Sequence, residues 1–224
     1  PNVDVGTTGE PFGDGVIYEK RLVEDITEAN ASTTCTSGIT NMELLFESST
    51  TFNQDISTWD VSDVTSMEQM FYLAESFNQN ISFWDVSNVL NMDFMFGEAT
   101  SFNQDISTWD VSNVTFMGVM FYNTQSFNQD LSNWVFNPMA DLNGTFSFSG
   151  LSNSNYDILL QTFVNQGNMA NNNTLGADNL IYCNVSARDI LVNTYGWDIV
   201  GDSYSTSNII APSDLNIEPN PVSC

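Results

Sequence analysis

Apolar residues recur through the middle of the chain with a period longer than any single helix or strand. The segment Phe52-Asn53-Gln54-Asp55-Ile56-Ser57-Thr58-Trp59 returns in closely similar form from Phe77, Phe102 and Phe127, each 25 residues after the last. A fixed period of this size marks units that cannot bury an apolar face alone and must stack on their neighbours. A second half keeps the same step: Met42-x-x-x-Phe46, Met67-x-x-x-Phe71, Met92-x-x-x-Phe96, Met117-x-x-x-Phe121 and Leu142-x-x-x-Phe146, with Ile39, Val64, Val89, Val114 and Met139. The pattern predicts an α/β solenoid of about five units over 38–150.

Within a unit the period changes. Met67, Met70, Phe71 and Ala74 fall at i, i+3, i+4, i+7, the spacing of a short helix that buries one stripe. Thr40-x-x-Glu43 and Thr65-x-x-Glu68 read as capping boxes at two helix starts. Trp59-Asp60-Val61 alternates and predicts a short parallel strand. At the bend stand Asn53, Asn78, Asn103 and Asn128, a column of amides suited to satisfying loop carbonyls and amides rung after rung. A ligand ladder is the alternative reading of that column.

The flanks lose the period. Residues 1–37 predict an N-terminal cap, with loop or edge strand over Pro1–Gly15, a strand at Val16-Ile17-Tyr18 and a weak helix from Leu22 to Ala29. Residues 151–202 predict a C-terminal α/β cap. Its first helix carries the stripe Tyr156, Leu159, Leu160 and Phe163; a second, capped by Ser186-x-x-Asp189, runs through Ile190, Leu191 and Tyr195 to Gly196. Leu180-Ile181-Tyr182 and Trp197-Asp198-Ile199 read as strands. Residues 203–224 form a Ser/Asn/Pro-rich linker or tail.

Charge narrows the partners. Against 28 Asp and Glu stand 3 Lys and Arg, a net charge of −25, so phosphate-backbone contacts lack their main source of energy and nucleic acid and anionic membranes are poor partners. No apolar run reaches the roughly 20 residues that span a bilayer, which argues against direct membrane insertion. With no N-terminal signal-like segment either, the chain reads as mature or as a fragment of something longer. Divalent cations, basic proteins and neutral glycans remain. Acidity also serves solubility. Of the cysteines Cys35, Cys183 and Cys224, the first two flank the repeats and lie too far apart for a disulfide; Cys183 with Cys224 and buried free thiols are both open.

If Trp59 and Val61 point inward, three columns point out: Thr58, Phe83, Thr108, Asn133; Asp60, Asp85, Asp110, Val135; and Ser62, Ser87, Ser112, Asn137. This face is the candidate binding surface, with Thr58, Asp60, Ser62, Phe83, Asp85, Thr108, Asp110 and Asn133 as candidate ligand contacts. Stacked Asp60, Asp85 and Asp110 are candidate Ca²⁺ ligands, since a divalent ion would relieve their repulsion through oxygen donors. The local alternative is an Asx-turn in which each carboxylate accepts the amide two residues on. Histidine is absent, which removes the commonest general base. Catalytic residues should break the period, yet most aspartates keep it, so no catalytic residue and no enzyme is expected. The period-breakers on this face are Phe83 and Asn133, Phe83 being suited to stacking on a sugar or packing on a protein.

The phrase Phe102-Asn103-Gln104-Asp105-Ile106-Ser107-x-Trp109-Asp110-Val111-Ser112-Asn113-Val114-Thr115-x-Met117-x-x-Met120-Phe121 resembles the BspA-like leucine-rich-repeat surface proteins, whose repeat is also known from Mycoplasma-type lipoproteins and from marine relatives of Bacteroides and Flavobacterium. The likeness runs from Cys35 to about Trp197. It implies a leucine-rich-repeat-like solenoid on the cell surface of a Bacteroidetes-type bacterium, serving adhesion or protein recognition without enzymatic activity. Leu215-Asn216-Ile217-Glu218-Pro219-Asn220-Pro221-Val222 is similar to the opening of a type IX secretion C-terminal sorting domain, with Glu218 in place of the usual aromatic. Three functions compete: a non-enzymatic recognition or adhesion module for a host or neighbouring-cell protein or glycan, a carbohydrate-active enzyme or its glycan-binding attachment, and a structural repeat of a larger adhesin or filament.

Overall fold

A computed structural model describes residues 6–9 and 16–205. Between Cys35 and Asn153 the chain forms no helix and no continuous strand. Five 25-residue rungs instead lie on one another, registered by parallel bridges that link Asn41, Ser66, Asn91, Phe116 and Asp141 in succession. The amides of Met42, Leu44, Phe46 and Ser48 donate to the carbonyls of Ser66, Glu68, Met70 and Tyr72 on the next rung. Those of Met67, Gln69, Phe71 and Leu73 donate in turn to Asn91, Asp93, Met95 and Gly97.

The helix expected over Met67–Ala74 therefore does not form. Its apolar stripe is buried, but by consecutive tight turns in which Met70 donates to Met67, Tyr72 to Gln69 and Ala74 to Phe71. Gln69 and Leu73 hold φ of 54° and 61°, and Leu44, Ser48, Phe94, Glu98, Val119, Asn123 and Phe148 repeat this left-handed geometry. Such backbone costs about 1 kcal/mol or more per non-glycine residue. The offset is that alternate amides are freed for the following rung, whereas a helix would have consumed them internally. The expected capping boxes are absent too: Thr65 Oγ1 donates to the Thr40 carbonyl, and Asn41 Oδ1 receives the Glu43 amide.

Trp59-Asp60-Val61 does not form a laddered strand, although its alternation holds, with Trp59 and Val61 buried and Asp60 exposed. Tryptophan carries the inter-rung link there: the indole Nε1–H of Trp84, Trp109 and Trp134 donates to the carbonyls of Ile56, Ile81 and Ile106 at 3.2, 3.2 and 2.9 Å. Trp59 makes the same bond to Ala31 of the N-terminal cap at 3.0 Å. The asparagine column performs its expected structural task. Asn53 Oδ1 accepts the Asn78 amide and Gln79 Nε2, and the pattern repeats at Asn78 and Asn103.

Inside each of the first four rungs two phenylalanines stack, as in Phe71–Phe77 and Phe96–Phe102, both with ring centroids 3.9 Å apart. Equivalent rings of successive rungs follow at 5.6–5.8 Å. One member of a repeated column differs: Met139 is 72% exposed where Val64, Val89 and Val114 are buried.

At the N-terminal end, β1 (Thr8–Gly9), β2 (Tyr18–Lys20) and β3 (Thr34–Cys35) form one small sheet, β1 antiparallel and β3 parallel to β2. The segment from Leu22 to Ala29 is not an α-helix; only a short 3-10 turn, Val23–Asp25, forms there. At the far end α1 (Asn153–Gln166) buries the expected Tyr156, Leu159, Leu160 and Phe163, opened by the Ser152 hydroxyl accepting from the Asn155 amide and closed by Gly167 at φ 68°. The strands β4 (Thr174–Gly176), β5 (Ile181–Tyr182), β6 (Asp198–Val200) and β7 (Ser203–Tyr204) pair as β4–β6 and β5–β7, both parallel. The second helix α2 (Val185–Asp189) is capped by Asn184, not Ser186. Because β7 pairs with β5, the cap extends through Ser203 and Tyr204, past the expected boundary at 202. Arg188 closes it by a bidentate contact to the fully buried Asp202 carboxylate, which also accepts from the Tyr156 hydroxyl. No helix among the described residues is long and apolar enough to cross a membrane. The proline-rich segment at 215–222 lies outside the described residues.

Candidate functional site

The three columns differ in exposure. Thr58, Phe83, Thr108 and Asn133 are exposed, as are Asp60, Asp85, Asp110 and Val135, while Ser62, Ser87 and Ser112 are half-buried. The serines are engaged: Asp60 Oδ1 accepts the Ser62 amide at 3.1 Å and its hydroxyl at 2.6 Å. Asp85 with Ser87 and Asp110 with Ser112 repeat the arrangement. At Asp110 the Ser112 hydroxyl and amide hold the carboxyl below the usual carboxylate range. These are the Asx-turns weighed against a calcium ladder. Each Asp thus places one oxygen in its own turn and leaves the other directed by it. Among the described residues no group of three or more His, Cys, Asp or Glu side chains is arranged to hold a metal ion.

The face is not uniform along its length. Against the N-terminal cap it sinks into a hollow of about 460 Å³ lined by Thr58, Trp59, Asp60, Val61, Phe83 and Asp85 from the rungs and by Tyr18, Thr34, Cys35, Thr36 and Ser37 from the cap. Four expected contacts, Thr58, Asp60, Phe83 and Asp85, meet here. Ser62, Thr108, Asp110 and Asn133 do not line it. Thr36 fixes the cap to the rungs by donating its hydroxyl to the Asp60 carbonyl at 2.9 Å. Phe83 is 85% exposed, the most exposed large apolar side chain among the described residues, whereas Trp59 and Tyr18, which also line the hollow, are buried.

The cap residues of this hollow were not legible beforehand, because they reach it through β2–β3 pairing and not through the repeat. Cys35 is a half-buried free thiol, its Sγ 3.5 Å from Ser37 Oγ. Cys183 is disulfide-bonded, and Cys224 lies outside the described residues. A smaller hollow of about 350 Å³ closes the other end of the face, between Ser132, Trp134, Val135 and the α1 residues Ile158, Gln161, Thr162, Asn165 and Gln166. Its lining is neutral.

The repeat itself decides the relationship. Residues 40–159, more than half of the chain, match the family described as "Mycoplasma protein of unknown function, DUF285". The chain belongs to this family. The match covers all but the start of the rung stack and runs into α1, so the rung residues of the hollow lie within it, while Tyr18 and Thr34–Ser37 fall before the matched residues. No curated protein and no solved structure matches the chain.

Proposed function

We propose that the chain is a leucine-rich-repeat-like solenoid acting outside the cell, at the surface of a Bacteroidetes-type bacterium, as a non-enzymatic recognition or adhesion module for a protein or glycan. The observation that carries the reading is Phe83. It stands where Thr58, Thr108 and Asn133 stand in the other rungs, almost fully in water, at the rim of a concave hollow. An aromatic ring left in water beside a depression costs apolar exposure that a partner would relieve. The reading needs no cofactor. With one oxygen of each column aspartate held in its turn, a calorimetric Ca²⁺ titration is expected to give no heat.

The test is binding of the full chain to a glycan array and to immobilised surface-protein extracts, wild type against Phe83→Ala, with a polysaccharide hydrolysis screen alongside. Phe83-dependent binding without turnover supports the reading. Turnover of any polysaccharide would sink it in favour of a carbohydrate-active enzyme. Binding that ignores Phe83 moves the site elsewhere.

A further inference from the structure

We infer that the hollow beneath Phe83 takes a cationic side chain, the guanidinium or ammonium of an arginine or lysine presented by a partner protein. This rests on the recognition reading above and names its ligand class. The lining combines one exposed ring, Phe83, with the carboxylates of Asp60 and Asp85 and contains no cation. A carboxylate pair beside an aromatic face offers a guanidinium both charge-assisted hydrogen bonds and a cation–π contact. Asp60 and Asp85 enter with Oδ1 held by Ser62 and Ser87, so Oδ2 is the acceptor presented to a ligand and little side-chain freedom remains to be lost on binding.

The chain's own cations do not fill the hollow. Arg21 is engaged by Glu19 and Thr34 within the cap sheet, and Arg188 by Asp202 at the opposite end. Lys20 lies near Gly38, its Nζ 3.5 Å from where a Cβ there would sit, and it does not line the cavity. At a net charge of −25, the surrounding field favours approach of a basic partner and disfavours an acidic glycan. A neutral glycan would use the ring and donate hydroxyls to the carboxylates, but it brings no positive charge to set against the two negative ones.

The experiment is an NMR titration of the full chain with acetyl-Gly-Arg-Gly-amide, against the Gln and Glu analogues. The arginine peptide is expected to shift the amides of Cys35, Phe83 and Asp85, and the other two to leave them unmoved. Asp85→Asn, which keeps the Ser87 turn acceptor, should weaken binding by about fivefold, roughly one exposed charge contact. Asp198→Asn makes the same charge change on the exposed face of β6 and should have no effect. Equal weakening by both variants would mean a diffuse field and overturn the inference, as would equal binding of the Gln peptide. If a neutral glycan binds in a Phe83-dependent way while the arginine peptide does not, the recognition reading stands and the cation inference falls. If neither binds, both fall.

Discussion

Replacing Trp109 by Phe probes the bond that joins successive rungs beneath the candidate face. Trp109 is buried, and its indole N–H donates to the Ile81 carbonyl of the preceding rung at 3.2 Å. Phenylalanine keeps an aromatic ring in the column but removes the donor. The Ile81 carbonyl retains the Trp84 amide at 3.1 Å, so it is left half satisfied and the cost falls at the low end of the range for a lost buried partner, about 1 kcal/mol. The smaller ring also vacates about 40 Å³, and at about 24 cal/mol per Å³ this adds about 1 kcal/mol if the neighbours do not relax. The sum, about 2 kcal/mol, lies well outside the ±0.5 kcal/mol typical of inert surface changes. Urea unfolding of wild type and Trp109→Phe, followed by near-ultraviolet circular dichroism and extrapolated linearly, measures it. A loss below about 0.5 kcal/mol would refute the claim that the indole bond ties the rungs together.

Three further outcomes are expected. Gly176 lies on β4 where an added Cβ would sit 2.1 Å from the Gly144 backbone nitrogen, so Gly176→Ala should lift the C-terminal cap off the last rung and cost about 3 kcal/mol or more, read as a fall in Tm. Arg188→Ala strands the fully buried Asp202 carboxylate and should cost about 3–5 kcal/mol, with hydrogen exchange rising first in α1 and α2. Asp93 lies partly buried near Asp141 and Glu68; chiefly desolvation, with a smaller contribution from those charges, pushes its carboxyl up from the usual value. A raised carboxyl binds its proton more tightly when folded, so its ionisation destabilises the fold as pH rises through the window above 3.8. Asp93→Asn, which keeps the acceptor for the Gly118 amide, should therefore stabilise at pH 7 by less than about 1 kcal/mol, the exposed part being screened. The gain should vanish near pH 3; a gain of equal size at both pH values would contradict this.

The spacing of apolar residues determined which side chains are buried. Phe52, Ile56, Trp59 and Val61, with Met67, Met70, Phe71 and Ala74, lie inside as the period requires, because burial follows the side-chain pattern whatever backbone delivers it. The amide column at Asn53 was legible for the same reason, since a residue repeated at one bend must meet its own copy one rung away. Backbone conformation was not legible there. An i, i+3, i+4, i+7 stripe fits a helix and a run of left-handed turns alike, and the choice is made by the next rung, whose carbonyls take the amides a helix would have kept. Met139 shows the converse, an apolar residue in a core column that the local chain path leaves in water.

The exposure of Phe83 and the outward set of Asp60 and Asp85 could be read from the sequence; the hollow they share with Cys35 and Tyr18 could not. Those two residues lie outside the repeat and arrive by the pairing of β2 with β3 and the Thr36–Asp60 bond, contacts between segments far apart in sequence that no local pattern encodes. The sequence alone therefore determined the core columns and the outward face, because both follow from a period. The tertiary structure alone decided how the backbone turns and where that face becomes concave, because both depend on hydrogen bonds between residues that only folding brings together.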